Sequence, residues 1–170
     1  MMLNVVANVN EKSREIRMKK SDGQVNMVAR NQKAFFQYVI YERFEAGIDL
    51  EGTEVKSIRQ KLVNLSDSYC KAQDDELFIL NLHIAPYPMG GCYLNHKPRR
   101  KRRLLMHRRE VIRLQIKLVE RGYTLIPLAI YFKRGWVKLE LGLAKGKKLH
   151  DRREALKEKE AKKELRNYGR

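Results

Sequence analysis

The densest chemistry in the sequence is cationic. His96-Lys97-Pro98-Arg99-Arg100-Lys101-Arg102-Arg103 sets seven basic residues within eight positions, with no acid among them. At that density amines and guanidiniums suit contact with phosphates, while the bland alternative is a solvated loop leading into a helix. A second group, Lys145-Gly146-Lys147-Lys148, follows an apolar alternating stretch. Gly146 allows a sharp turn there, and the amines then form either a phosphate track or a frayed charged end. Trp136 stands two residues from Lys138, placed either to cap a hydrophobic edge or to stack on a base.

Other chemistries fail on inventory. The chain has no G-x-x-x-x-G-K-[ST] and no G-x-G-x-x-G, and no Ser, His and acid trio stands out, so no catalytic residue is assigned. His83, His96, His107 and His150 lack metal-ligand spacing, and Cys70 and Cys92 form no C-x-x-C pair. No metal and no cofactor are therefore expected. Asp74-Asp75-Glu76 has the composition of a metal-binding nuclease cluster, but adjacent acids at a turn are more often a solvated loop.

The charge is unevenly distributed. In 170 residues, 37 Lys+Arg against 20 Asp+Glu give +17. Residues 1–30 carry 6 basic and 3 acidic side chains, 31–94 carry 6 and 9, 95–144 carry 14 and 3, and 145–170 carry 11 and 5. A solubility charge would be spread evenly, so this one reads as a one-sided polyanion footprint. No stretch approaches the roughly 20 apolar residues of a spanning helix, and Asn4, Asn8 and Asn10 interrupt the opening as a signal core. A cytoplasmic protein without a membrane partner is expected.

The elements that must position these residues are mostly strands. Phe36, Tyr38, Ile40 and Phe44 recur at even positions, and Tyr69–Lys71 with Leu77–Ile84 flanks the Asp74-Asp75 turn as a hairpin. A clearer hairpin runs from Tyr123–Lys133 through Arg134-Gly135 into Trp136–Leu143, with Val137, Leu139, Leu141 and Leu143 on one face. Pro127 marks an edge or a bulge. A short helix is predicted from Gly52 to about Gln60, with Thr53 as N-cap. A longer one is predicted over Arg102–Arg121, with Leu104, Val111, Leu114 and Leu118 on its apolar face and Gly122 as its stop. The fold class is mainly β: a small antiparallel barrel of the oligonucleotide-binding type with two or three helices and a basic C-terminal tail. A flat sheet with helices on one face is the alternative. Residues 1–30 read as a flexible extension, 31–146 as the barrel domain and 147–170 as the tail. That tail has helix propensity but too few apolar positions to anchor it, so disorder that becomes helix on a partner is expected.

Several segments occur together in a recognisable order. Gly52-Thr53-Glu54-Val55-Lys56-Ser57, Asn64-Leu65-Ser66-Asp67-Ser68-Tyr69, His83-Ile84-Ala85-Pro86-Tyr87, Leu104-Leu105-Met106-His107-Arg108 and the stretch from Gly142 to Arg153 resemble the SmpB family of bacterial tmRNA-binding proteins. The resemblance runs from about Asn31 to the C-terminus. It implies a non-enzymatic factor of trans-translation that binds the tRNA-like domain of tmRNA as a monomer and brings it to the A site of stalled ribosomes. By motif, it places Asn31, Glu54, Lys56, Lys138, Lys145, Lys147 and Lys148 on the tmRNA-binding surface. Arg99, Arg100, Lys101, Arg102 and Arg103 are read as suppliers of general RNA affinity. The resemblance assigns His150, Asp151, Arg152 and Arg153 to the small-subunit decoding centre, where Arg152 replaces a frequent lysine. A carboxylate is repelled by phosphate, so Glu54 would accept hydrogen bonds from base or sugar donors; its alternative role is to stabilise the helix dipole.

Overall fold

In the computed structural model, residues 25–91, 95–120 and 122–147 are described. Their strands are β1 (Asn26–Arg30), β2 (Tyr38–Ile48), β3 (Val63–Asn64), β4 (Tyr69–Gln73), β5 (Glu76–Leu80), β6 (His83–Ile84), β7 (Arg102–Leu105), β8 (Thr124–Lys133) and β9 (Trp136–Gly146). The helices are α1 (Gln32–Gln37), α2 (Gly52–Arg59) and α3 (Arg108–Glu120). The main sheet runs β1-β8-β4-β5-β7-β2-β9, and because β9 also pairs with β8 the strands close into a ring. Closure satisfies the edges, as the oligonucleotide-binding type of barrel requires.

Alternation fills the ring. Leu77 and Ile79 of β5, Leu104 of β7 and Leu139, Leu141 and Leu143 of β9 point inward and are almost wholly buried, together with Ile58 of α2 and Leu114 of α3. Each such side chain contributes about 1.5–3 kcal/mol. Outside the wall, Ala34 of α1 packs on Ile126, Leu128 and Ala144, so β8 is buried on both faces. Gly142 permits this second layer, because a Cβ there would lie 3.0–3.1 Å from the Leu128 side chain.

The two expected hairpins form. Asp74 and Asp75 (φ 51° and 58°) close β4 to β5, and Arg134 and Gly135 (φ 50° and 81°) close β8 to β9. Two positive-φ residues match the turn twist that hairpins prefer. Pro127 sits at a register shift between β8 and β9, so it marks a bulge and not an edge.

Five local expectations change. Asn26–Arg30, expected in the extension, pairs antiparallel with β8 as β1. Phe36 lies in α1, because Asn31 caps that helix by accepting the Ala34 N–H at 3.1 Å. The N-cap of α2 is Glu51, two residues before Thr53. The strand from Leu77 stops at Leu80, where Asn81 takes φ 57°, and His83–Ile84 pairs with β3 instead. The long helix begins only at Arg108: Arg102 and Leu104 are buried while Arg103 and Leu105 are exposed, a period of two that makes β7 a strand between β5 and β2.

Candidate nucleic-acid interface

The basic run from Arg99 to Arg103 does not form one cationic surface. Strand geometry turns successive side chains to opposite faces, so Arg102 faces inward with 0% exposure while Arg99, Lys101 and Arg103 stay outside. Inside, Glu54 of α2 receives the buried charge. Its Oε1 accepts from Arg102 at 2.7 Å and from Arg100 Nε at 2.9 Å; its Oε2 accepts from Arg100 Nη2 at 2.6 Å and from the Glu51 N–H at 2.8 Å. The rest of the Arg102 fork donates to the carbonyls of Leu82 at 2.7 Å, Arg100 at 3.0 Å and Pro98 at 3.1 Å. Every strong donor is satisfied, which is the condition for burying such a pair.

The expected direct contact of Glu54 with RNA is therefore corrected. The carboxylate is 0% exposed and its oxygens are occupied within the protein. Burial alone would raise its pKa, but the hydrogen bonds from Arg100 and Glu51 and the charge of Arg102 outweigh burial and hold it below the ordinary carboxylate value. Arg102 is likewise no phosphate contact, and Arg100 has a quarter of its side chain exposed beside Glu51 and Glu54. Of the outer cations, Lys101 lies 3.6 Å above the Phe78 ring and Arg103 pairs with Glu76 at 3.2 Å. Lys56 is exposed on α2, with its ammonium 5.4 Å from the Tyr87 ring centre.

Asn31 is also internal, at 4% exposure. Besides capping α1, its amide donates to the carbonyls of Leu65 at 3.0 Å and Pro127 at 3.1 Å, tying the Asn64–Tyr69 loop to the β8 bulge. A polar cleft opens beside it between α1 and that loop, lined by Gln37, Tyr38, Ser66, Ser68 and Tyr69. At the neighbouring rim, Lys145 is exposed opposite Val39. The Lys147 backbone N–H donates to Gln37 at 2.9 Å, and its ammonium donates to the Phe35 carbonyl at 3.4 Å.

Lys138 occupies a third place, on the outer wall. The β9 register puts it opposite Tyr131 of β8 and Gly47 of β2. Next to it, Glu45 accepts from the Tyr131 hydroxyl at 2.6 Å and from Lys133 at 2.9 and 3.2 Å. Burial pushes the Glu45 carboxyl up, and the Tyr131 and Lys133 hydrogen bonds with the charges of Lys133 and Lys138 bring it below the ordinary value. The sequence reading missed Glu45, Tyr131 and Lys133. The two-residue turn at Arg134-Gly135 already fixes Tyr131 opposite Lys138, whereas Glu45 joins only through the distant pairing of β2 with β9. Trp136, 75% exposed, buries little of any hydrophobic edge.

The predicted residues thus fall into three groups: Asn31, Lys145 and Lys147 at the rim, Lys138 on the wall, and Glu54, Lys56 and Arg99–Arg103 around α2 and β7. Lys148, His150, Asp151, Arg152 and Arg153 lie outside the described residues, as do the expected tail helix and most of the N-terminal extension. Asp74-Asp75-Glu76 is not a cluster of free acids: Asp75 pairs with Arg108 at 3.2 Å and Glu76 with Arg103. No helix among the described residues is long and apolar enough to cross a membrane.

Comparison with known proteins identifies the family. The family model described as SmpB protein matches residues 28–170. The SsrA-binding protein of Trichodesmium erythraeum is 48% identical over 147 residues, covering 86% of this chain and 94% of that protein. That of Carboxydothermus hydrogenoformans is 51% identical over 139 residues, covering 82% and 93%. Among solved structures, a chain from "tmRNA-SmpB: a journey to the center of the bacterial ribosome" is 48% identical, with a TM-score of 0.62 over 75% of this chain and 93% of that one. The family match begins within β1 and spans the closed barrel and the residues that follow it, and the chain belongs to the SmpB family.

Proposed function

We propose that this chain binds the tRNA-like domain of tmRNA and delivers it to the A site of stalled bacterial ribosomes in trans-translation, acting in the cytoplasm as a monomeric RNA-binding factor and not as an enzyme. The observation that carries this reading is the family match from residue 28 to residue 170, with close to half of the residues shared with SsrA-binding proteins. The footprint of +17 is the charge such a partner needs.

In this reading Lys138 on the wall, Lys145 and Lys147 at the rim, Lys148 that follows them in sequence, and Lys56, Arg99, Lys101 and Arg103 near α2 supply contacts to the RNA backbone. Asn31 and Glu54 act from inside as positioning residues: Asn31 holds the cleft beside the rim lysines, and Glu54 anchors the segment that displays the outer arginines. His150, Asp151, Arg152 and Arg153 belong to a tail that engages the decoding centre and folds along the vacant mRNA path.

Filter binding against the tRNA-like domain and a random hairpin tests the first half. Lys138→Ala with Lys145→Ala should weaken the tmRNA complex about tenfold or more, and an unchanged affinity would remove these lysines from the interface. Truncation before His150 should leave tmRNA binding close to that of the full chain and abolish peptide tagging on a truncated mRNA. Full tagging by the shortened protein would sink the tail mechanism.

A further inference from the structure

Helix α3 has two apolar faces, and the barrel uses one. Val111 and Leu114 are buried and Leu118 is half-buried against the core. On the opposite side Ile112, Ile116 and Val119 are 40%, 51% and 85% exposed. Their spacing of four and three residues makes them one stripe, about 10 Å long at helical rise. Helix propensity does not call for them, since β-branched residues are weaker helix formers than Lys, Glu or Gln, and exposure to water does not favour them either. Past Val119 the stripe meets a groove of mixed lining, apolar at Leu118, Ala72, Tyr123 and Leu125 and polar toward Gln73 and Asp74. Acidic contacts are therefore placed at the Arg109 and Arg113 end of the stripe.

The charges beside the stripe define its occupant. Arg109 and Arg113 are exposed on the same side of α3, and among the described residues neither has an acidic partner. Arg108 and Lys117, by contrast, are engaged by Asp75 and Glu42. We propose that the outer face of α3 is a docking surface for an acidic amphipathic helix of another protein, seated on Ile112, Ile116 and Val119 with its carboxylates on Arg109 and Arg113. Anchors at i, i+3, i+4 and i+7 on such a helix match the stripe, and arginine forks take carboxylates in pairs. Unpaired RNA does not explain three aliphatic side chains, which offer no ring for stacking. A second copy of this chain would set arginine against arginine across a two-fold axis, with +17 on each partner. A membrane surface would be held by three aliphatic residues without an aromatic anchor. The inference is independent of the RNA reading.

The test uses the full chain and a designed helical peptide of about 15 residues, with leucines at i, i+3, i+4 and i+7 flanked by glutamates, against a scrambled peptide of identical composition. The ordered peptide should bind at least about tenfold more tightly than the scrambled one, with NMR shifts concentrated on residues 109–119. Ile112→Ser with Ile116→Ser should remove that preference, and Arg109→Glu with Arg113→Glu should remove it separately. Both pairs change exposed side chains, so an unchanged melting temperature certifies the fold. Equal affinity for the two peptides, or a preference that survives either double variant, overturns the proposal. A concentration-dependent dimer abolished by Ile116→Ser would assign the face to a second copy, and co-sedimentation with phosphatidylglycerol vesicles abolished by the same change would assign it to lipid; either result overturns the proposal as well.

Discussion

Two carboxylates in this basic chain have similar partners and opposite surroundings. Glu54 is sealed at 0% exposure beneath Arg100 and Arg102, while Glu45 stands at the surface of β2 with 37% of its side chain exposed, holding Tyr131 and Lys133. Both are held below the ordinary carboxylate value despite burial. What separates them is the state left behind when the acid is removed. Without Glu45 the lysines return to water, whereas without Glu54 a fully buried guanidinium has no counter-charge. An acid with cationic neighbours can therefore be part of the frame or part of the surface, and burial, not the type of partner, decides which.

The largest effect is expected where burial is complete. Glu54→Gln should cost about 3–5 kcal/mol of stability, because breaking a buried pair leaves an uncompensated charge. Glu45→Gln should cost less than about 1 kcal/mol, in the range of exposed pairs. Urea unfolding of the two variants measures the contrast. The double variant Glu54→Leu with Arg102→Met should recover much of the first loss, since a packed apolar pair can replace an ionic one. Similar losses for the two single variants would break the comparison. The consequence for function is that Glu54→Ala should weaken binding to tmRNA and to unrelated RNA alike, through the fold.

How far these roles are legible from the sequence depends on the range of the interactions that create them. The β8–β9 hairpin and the Asp74-Asp75 turn are local, and alternation with turn residues predicts both. Arg102–Leu105 reads as helix in the sequence because Leu104, Val111, Leu114 and Leu118 happen to fit a helical period. The neighbours that make it a strand, β5 and β2, lie far away in the chain. The same distance hides the partnership of Glu54 with Arg102, separated by 48 residues, and of Glu45 with Tyr131, separated by 86. A residue's type and its local motif point to functional importance. They do not say whether it works by touching a ligand or by supporting the residues that do.

The same division should split the basic run in two. Replacing Arg99, Lys101 and Arg103 by Gln should leave stability within about 0.5 kcal/mol of wild type. It should flatten the slope of log K against log salt for RNA by as much as about 0.7 for each phosphate that is no longer neutralised. Arg102→Gln should do the reverse, lowering the urea midpoint with little direct effect on the salt slope of the protein that remains folded. A salt slope unchanged in the triple variant would make the outer cations a solvated surface.

Acid should separate the two carboxylates next. The Glu54 pKa is lower in the folded protein than in the unfolded chain, so its stabilising contribution is fully present above the ordinary value of 4.5 and is lost as pH falls through the folded value. Wild-type stability should thus decline as pH drops below about 5, and Glu54→Gln should decline less steeply over the same interval. Glu45→Gln should leave most of that slope in place, because its carboxylate is partly hydrated and its ion pairs are screened. Parallel acid curves for wild type and Glu54→Gln would show that the buried pair titrates outside this window.

The smallest effect tests the exposed member of the comparison alone. Burial raises the Tyr131 phenol, and the hydrogen bond to Glu45 with its negative charge raises it further. Glu45→Gln keeps an acceptor beside the hydroxyl but removes the charge. The phenol should then titrate at lower pH than in wild type, yet still above the ordinary value near 10, because the strand neighbours that bury its ring at 1% exposure remain. NMR of tyrosines labelled at Cζ follows each phenol separately, and Tyr131→Phe identifies the resonance among the 8 tyrosines. A return to the ordinary value would mean that Glu45 orders this part of the wall as Glu54 orders the segment around β7, and an unmoved titration would mean that solvent already screens its charge. Only an intermediate shift fits a carboxylate that sits at the boundary, close enough to polarise Tyr131 and Lys133 and too exposed to hold the fold.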